Sequence, residues 1–222
     1  MALFAKAAHP GRVKTRLGPA LTLELAAEFH ALCTEHLWRR FAADRRLDTF
    51  LYCDDQWPPF ERLARDGRLR IQQGCDLGAR MLNCLRELLG EGHPKALIVG
   101  SDAPTLPASQ LDEALVALDR HQVVLGPSID GGFTLIGATR TRPGIFAGVR
   151  WSRDNTREAC LKAIADTGLG ARVTPTSAFD VDTPSDLVRL AADPALPPSL
   201  GDWLRRCGPE AAVQAGFMGG RS

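Results

Sequence analysis

The chain has 222 residues, with 27 basic and 26 acidic side chains and a formal net charge of +1. Near-neutrality argues against a general nucleic-acid binder, which carries a broad basic face. With 45% hydrophobic and 24% charged residues, it is not a disordered chain either.

Residues 1–5 form a short apolar run and read as a first strand. A loop holding Pro10 and Gly11 follows over 7–19, then helical spacing over 21–43 with Leu25, Phe29, Leu32, Leu37 and Phe41 on one face. Residues 48–53 read as a strand, 58–65 as a short helix and 69–73 as a weak strand. The spacing predicts a helix over 76–89, with Asp76 as N-cap and Leu77, Met81, Leu85 and Leu88 as its buried stripe. Residues 96–99 are the clearest buried strand. A helix over 109–120 and strands over 122–125 and 133–137 come next. A helix over 154–166, a strand over 171–174 and a helix over 183–192 complete the alternation, the last opened by Thr183-Pro184 with Asp186 at the capping-box position. Strands alternating with helices predict an α/β protein, a three-layer α/β/α sandwich around a mostly parallel sheet. The reading places one domain over 1–192 and a C-terminal extension over 193–222, with a helix around Trp203.

No stretch approaches the roughly 18 uncharged apolar residues of a membrane span. No long apolar run precedes Lys6, so a secretory signal is not expected. Six scattered cysteines without a C-x-x-C pair fit a reduced, cytoplasmic protein.

Open α/β sheets bind ligands outside the carboxyl ends of their strands, so the residues after each strand carry the functional reading. After the first strand stand Lys6, Arg12, Lys14 and Arg16, with no acidic residue before Glu24. Such a loop suits phosphate, although it lacks the glycine spacing of a Walker A motif. After the best strand comes Gly-Ser-Asp-Ala-Pro, with Asp102 either capping a turn or holding a metal ion. Asp130-Gly131-Gly132 lies between two strands; it is a hairpin signal, or bare backbone against which an acceptor lies. Asp180 and Asp182 alternate, so an extended chain puts them on one face. Hard paired oxygen ligands suit Mg²⁺ or Mn²⁺, and with Asp102 they would make a three-carboxylate site. Of the five histidines only His9 falls in the candidate site. His30 and His36 read as packing or surface residues of the first long helix.

The segments FAKAAHPGRVKTRL, QQGCDLGARM, IVGSDAPTL, VVLGPSIDGGFTLIG, VRWS and DVDTPSDL together resemble a family of bacterial proteins of glycosyltransferase-A type. Its members are labelled as a domain of unknown function or as glycosyltransferases, and Ala8 stands where they usually carry proline. The family is similar in fold to the molybdenum-cofactor and 2-phospho-lactate guanylyltransferases and to other nucleotide-diphospho-sugar transferases. The resemblance implies a nucleotide-binding fold with Mg²⁺ or Mn²⁺. It implies Lys6, Lys14 and Arg16 on the nucleotide phosphates, with Lys14, Arg16 and Asp102 serving catalysis. It places Asp76, Gly78, Arg80 and Ser101 along the nucleotide, Asp102, Asp180 and Asp182 on the metal, and Asp130, Gly131, Gly132 and Trp151 around the acceptor. The expected function is a metal-dependent transferase using a nucleotide-sugar or a nucleoside triphosphate on a small-molecule acceptor. A guanylyltransferase-like nucleotidyl transfer and a non-catalytic nucleotide-binding accessory role are the alternatives. Neither nucleic acid nor a membrane is an expected partner, and a homodimer is one expected assembly.

Overall fold

A computed structural model describes residues 1–207 of the chain. The strands are β1 (Ala2–Ala5), β2 (Phe50–Cys53), β3 (Leu69–Ile71), β4 (Ala96–Gly100), β5 (Val123–Pro127), β6 (Phe133–Ala138) and β7 (Ala171–Val173). The helices are α1 (Leu23–Ala42), α2 (Pro58–Leu63), α3 (Leu77–Gly90), α4 (Ala108–Ala117), α5 (Thr156–Asp166), α6 (Pro184–Ala191) and α7 (Pro198–Cys207). One seven-stranded sheet runs in the order β3-β2-β1-β4-β6-β5-β7. Only β6 is antiparallel to its neighbours, so the sheet is mostly parallel, as the alternation predicts.

Strand geometry sends successive side chains to opposite faces. In β1, Leu3 and Ala5 go to one face, with Leu37 and Phe41 of α1, Phe60 of α2 and Leu111 of α4. Ala2 and Phe4 go to the other, with Met81, Leu85 and Leu88 of α3 and Cys160 and Ile164 of α5. The two cores make the three layers. Each fully buried Leu or Phe contributes roughly 1.5–3 kcal/mol.

Leu77 departs from the expected stripe. Asp76 caps α3 by accepting from the Ala79 amide at 2.7 Å, which makes Leu77 the first helical residue, and it is exposed. A third cluster lies at one end of α1, where Leu17, Phe29 and Cys33 meet Leu187 and Leu190 of α6 and Leu200, Trp203 and Leu204 of α7. The helix expected around Trp203 is therefore present, and its indole lies 5.2 Å from the Phe29 ring. The rest of the expected extension, 208–222, lies outside the described residues. Among the described residues no helix is long and apolar enough to cross a membrane.

Candidate active site

β1 and β4 are parallel neighbours, with Phe4 opposite Gly100, and the Ser101 amide extends their pairing by donating to the Phe4 carbonyl at 2.9 Å. The Lys6 loop and the Asp102 turn therefore leave the sheet side by side. The late acidic segment is tied to the same place, because the Val181 amide donates to the Asp102 carbonyl at 2.9 Å. Its exit into α6 is fixed by the capping box read from the sequence. One oxygen of Asp186 accepts from the Thr183 amide and hydroxyl, both at 2.7 Å, and from the Asp182 amide at 3.1 Å. Burial would raise the Asp186 carboxyl, but these bonds hold it below the usual range.

Lys14 sits at the centre. Its ammonium is 2.5 Å from Asp102 Oδ1 and 3.0 Å from Asp182 Oδ1, and donates to the Val181 carbonyl at 2.8 Å. Its side chain is only 3% exposed, whereas Asp102 and Asp182 keep 45% and 40% of theirs open. Burial by itself would lower the lysine, but the two carboxylates push it well above the ordinary value. The Asp102 carboxyl moves the opposite way: burial opposes ionisation, and Lys14 and then His30 drive it far below the usual range.

His30, which sequence reasoning set aside, belongs to this cluster. It is buried, and its Nε2 lies 3.0 Å from the Lys6 carbonyl. A carbonyl only accepts, so Nε2 carries the proton. Nδ1 has no hydrogen-bond partner and lies 3.8 Å from Asp102 Oδ1. The signal available in sequence was only a polar residue beside the Phe29 stripe.

Asp180 faces a different environment. Its carboxyl is pushed up to about 8, first by burial, then by Asp102, with Asp182 and Asp130 adding and Lys14 opposing. Among the described residues no cation pairs with it directly. Lys6 and Arg16 are exposed at the rim; Arg16 reaches Asp182 at 3.7 Å, and Lys6 has no ion-pair partner among the described residues. The structure thus brings Lys14, Arg16, Asp102, Asp180 and Asp182 together and adds His30 beneath them.

The remaining candidates are largely occupied by the protein itself. Asp130 accepts from the Gly132 amide at 3.0 Å in the β5–β6 hairpin. Gly131 has φ +88°, and a Cβ there would lie 1.7 Å from the Asp154 carbonyl oxygen. Its bare α-carbon therefore admits the backbone before α5. Gly78 is buried, and a Cβ on it would meet the Phe146 Cβ at 3.0 Å and the Trp151 ring at 3.1 Å. It serves the approach of Trp151 to α3, and Trp151 packs between Phe133 and Phe146. Arg80 bends back to the Gly74 carbonyl at 3.3 Å, and Ser101 is buried at the β1–β4 seam.

The mostly parallel seven-stranded sheet, with charged loops at its carboxyl edge, is the fold of the nucleotidyl- and nucleotide-sugar transferases, and comparison with known proteins bears this out. A candidate nucleotide-diphospho-sugar transferase from Desulfovibrio desulfuricans G20 is 27% identical, with a TM-score of 0.74 over 98% of this chain and 94% of that one. A cytidylyltransferase from Leptospira borgpetersenii serovar Hardjo-bovis shares the fold at 10% identity, with a TM-score of 0.53 over 98% of this chain and 94% of that one. In sequence, the chain is 26% identical over 186 residues to a phosphoenolpyruvate guanylyltransferase of Sphaerobacter thermophilus, covering 80% of this chain and 86% of that protein. The class is that of a transferase. More narrowly, the chain belongs to DUF2064, a family described as uncharacterized protein conserved in bacteria, whose profile matches residues 37–153.

Proposed function

We propose that the protein is a divalent-metal-dependent transferase that takes a nucleoside triphosphate or a nucleotide-sugar as donor and passes its nucleotidyl or glycosyl group to a small acceptor. The observation that carries this reading is the convergence of Asp102, Asp180 and Asp182 beside the exposed Lys6 and Arg16 at the carboxyl edge of the sheet. The donor set fits a hard cation, Mg²⁺ or Mn²⁺, because Asp180 lies among carboxylates without a cation paired to it among the described residues. No three acidic, His or Cys side chains among the described residues are arranged to hold a metal alone. The shell would be completed by donor phosphates, as is usual for Mg²⁺ at phosphate sites. When bound, the metal would supply charge neutralisation at those phosphates.

The chain's own groups do the rest. Lys6 and Arg16, exposed and short of strong partners, would hold phosphate oxygens, Arg16 as a planar fork and Lys6 as a point charge. In nucleotidyl transfer an acceptor oxygen attacks the α-phosphorus and pyrophosphate leaves. In glycosyl transfer an acceptor hydroxyl attacks the sugar C1 and a nucleoside diphosphate leaves. Negative charge grows on a departing phosphate in both cases, and preset cations at that position lower the barrier. His30 would hold the Lys6 carbonyl and, with it, the start of the basic loop. Nucleotidyl transfer to a phosphorylated acid gains specific support from the guanylyltransferase relative.

The test is a thermal-shift panel of Mg²⁺ or Mn²⁺ with GTP, CTP, UTP, ATP, UDP-glucose and GDP-mannose. A ligand at ~100 times its dissociation constant adds about 2.7 kcal/mol. At roughly 2–4 °C per kcal/mol for a chain of this size, that is a shift of about 5–10 °C. A metal-dependent shift with one triphosphate supports nucleotidyl transfer, and a shift with a sugar nucleotide supports glycosyl transfer. Binding without turnover on any acceptor favours the accessory role. No shift with any of them overturns the reading.

A further inference from the structure

We propose that Lys14 is the resident counter-cation of the carboxylate cluster, holding Asp102 and Asp182 in place of a metal ion until donor phosphates release it. The inference rests on the metal-dependent reading above and differs from the simpler expectation that Lys14 is a standing phosphate contact.

An ammonium has three N–H donors and no acceptor. In Lys14 all three have oxygen partners: Asp102 Oδ1 at 2.5 Å, the Val181 carbonyl at 2.8 Å and Asp182 Oδ1 at 3.0 Å. With 3% of the side chain exposed, no donor faces an incoming phosphate. The backbone supports the same arrangement. Lys14 has φ 48° and ψ 34°, a left-handed conformation that costs a non-glycine residue free energy and persists where its surroundings hold it. Here the surroundings are two carboxylates and a carbonyl, brought from residues 80 and more positions away in sequence.

The charge pattern then has a thermodynamic consequence. A divalent cation placed on Asp102 and Asp182 must share two carboxylates with the ammonium, which already holds Oδ1 of each. Lys14 would then lie buried beside a doubly positive ion that competes for the same negative charge, which is an unfavourable state. Metal alone should therefore bind weakly to the wild-type protein. Donor phosphates change this, because they offer the displaced ammonium a new anionic partner. Metal and nucleotide should thus favour each other, and such coupling is reciprocal. The arrangement also accounts for the lack of a ready three-ligand metal site among the described residues: the lysine occupies the position between two of the three carboxylates.

The decisive measurement is calorimetric titration of the full chain with Mn²⁺ in the absence of nucleotide, on wild type, Lys14→Met and Lys14→Arg. Removing the ammonium should free Asp102 and Asp182, so Lys14→Met should bind Mn²⁺ more tightly than wild type by about tenfold or more, within the usual range of site-to-site coupling. Lys14→Arg restores the positive charge and should return binding to the weak wild-type level. Melting curves report whether each variant is folded. If Lys14→Met is not, Lys14→Gln keeps two N–H donors without the charge and carries the same expectation. Equal or weaker Mn²⁺ binding by the folded neutral variant overturns the inference. This failure is separate from failure of the proposed function, which would appear as no nucleotide shifting the wild-type melt whatever Lys14→Met does with Mn²⁺.

Discussion

Replacing Asp186 by alanine removes the anchor of the late acidic segment. One Asp186 oxygen receives three hydrogen bonds, two from Thr183 and one from the Asp182 amide. Losing an N-terminal cap costs about 0.5–2 kcal/mol. The bond to the Asp182 amide lies outside a simple cap and adds to that, so the expected loss is about 2 kcal/mol, in line with a charged acceptor. At roughly 2–4 °C per kcal/mol, the melting temperature should fall by about 4–8 °C. Asp186→Asn keeps an oxygen acceptor without the charge and should lose roughly half as much. The pH dependence has a definite sign. The folded carboxyl lies below its unfolded value, so its stabilisation is present above an unfolded pKa of about 3.9 and is lost as pH falls through the folded value. The gap between wild type and Asp186→Ala should therefore narrow as the buffer is taken from about pH 5 to pH 3. A melting temperature within about 1 °C of wild type at pH 7 would show that the capping box does not hold the segment. A gap that stays constant down to pH 3 would show that the carboxylate charge is not what holds it.

Three further expectations use other parts of the molecule. Gly131→Ala forces a methyl group onto the Asp154 carbonyl and a side chain into φ +88°, so it should destabilise by more than the roughly 1–2 kcal/mol of left-handed strain alone; chemical denaturation reads this, and an unchanged midpoint would contradict the close approach. His30→Leu leaves the part-buried Lys6 carbonyl without its donor and should cost about 0.5–1.5 kcal/mol, whereas His30→Gln, which can still donate, should recover part of it in the same assay. In metal-free buffer, the Asp180 carboxyl, pushed up to about 8, binds its proton more tightly folded than unfolded. Its contribution is therefore present at low pH and lost as pH rises through about 8. Asp180→Asn should gain melting temperature relative to wild type on going from pH 5 to pH 9, and a flat difference would refute it.

The layers were legible because they follow from short-range pattern. The apolar runs at β1 and β4, the Asp76 cap of α3 and the Thr183–Asp186 capping box each declare themselves within a few residues. The hairpin was legible too, since Asp130-Gly131-Gly132 is turn chemistry. Its placement was not: β6 enters the sheet between β4 and β5, and the register Val99 opposite Leu135 involves residues far apart in sequence. The site divided in the same way. Residue type and strand-end position single out Asp102, Asp180, Asp182 and Arg16, which the structure brings together. They also single out Lys14, but not its ion pairs, because whether a lysine faces solvent or two carboxylates is decided by chain that arrives much later. His30 was missed for the same reason; the carbonyl it bonds and the carboxylate it faces are 24 and 72 positions away, while local periodicity shows only its place beside Phe29. Gly78 and Gly131 look like room for a ligand in sequence, and only packing shows that Trp151, Phe146 and Asp154 use that room.

The pair between Lys14 and Asp182 spans 168 positions of the chain. During synthesis, the basic loop and Asp102 are made long before their closing partner. A nascent chain that has emerged only as far as β6 can already form the β1–β4 pairing, yet it lacks the segment that buries the Lys14 ammonium. Contacts of such long sequence separation form late, because their loop entropy must be met first. The cluster can therefore close only once the chain through Asp182 has been made. A translation product stopped short of about residue 180 would retain most of the sheet while presenting an open lysine and a single carboxylate, which ties competence in this protein to the finished chain.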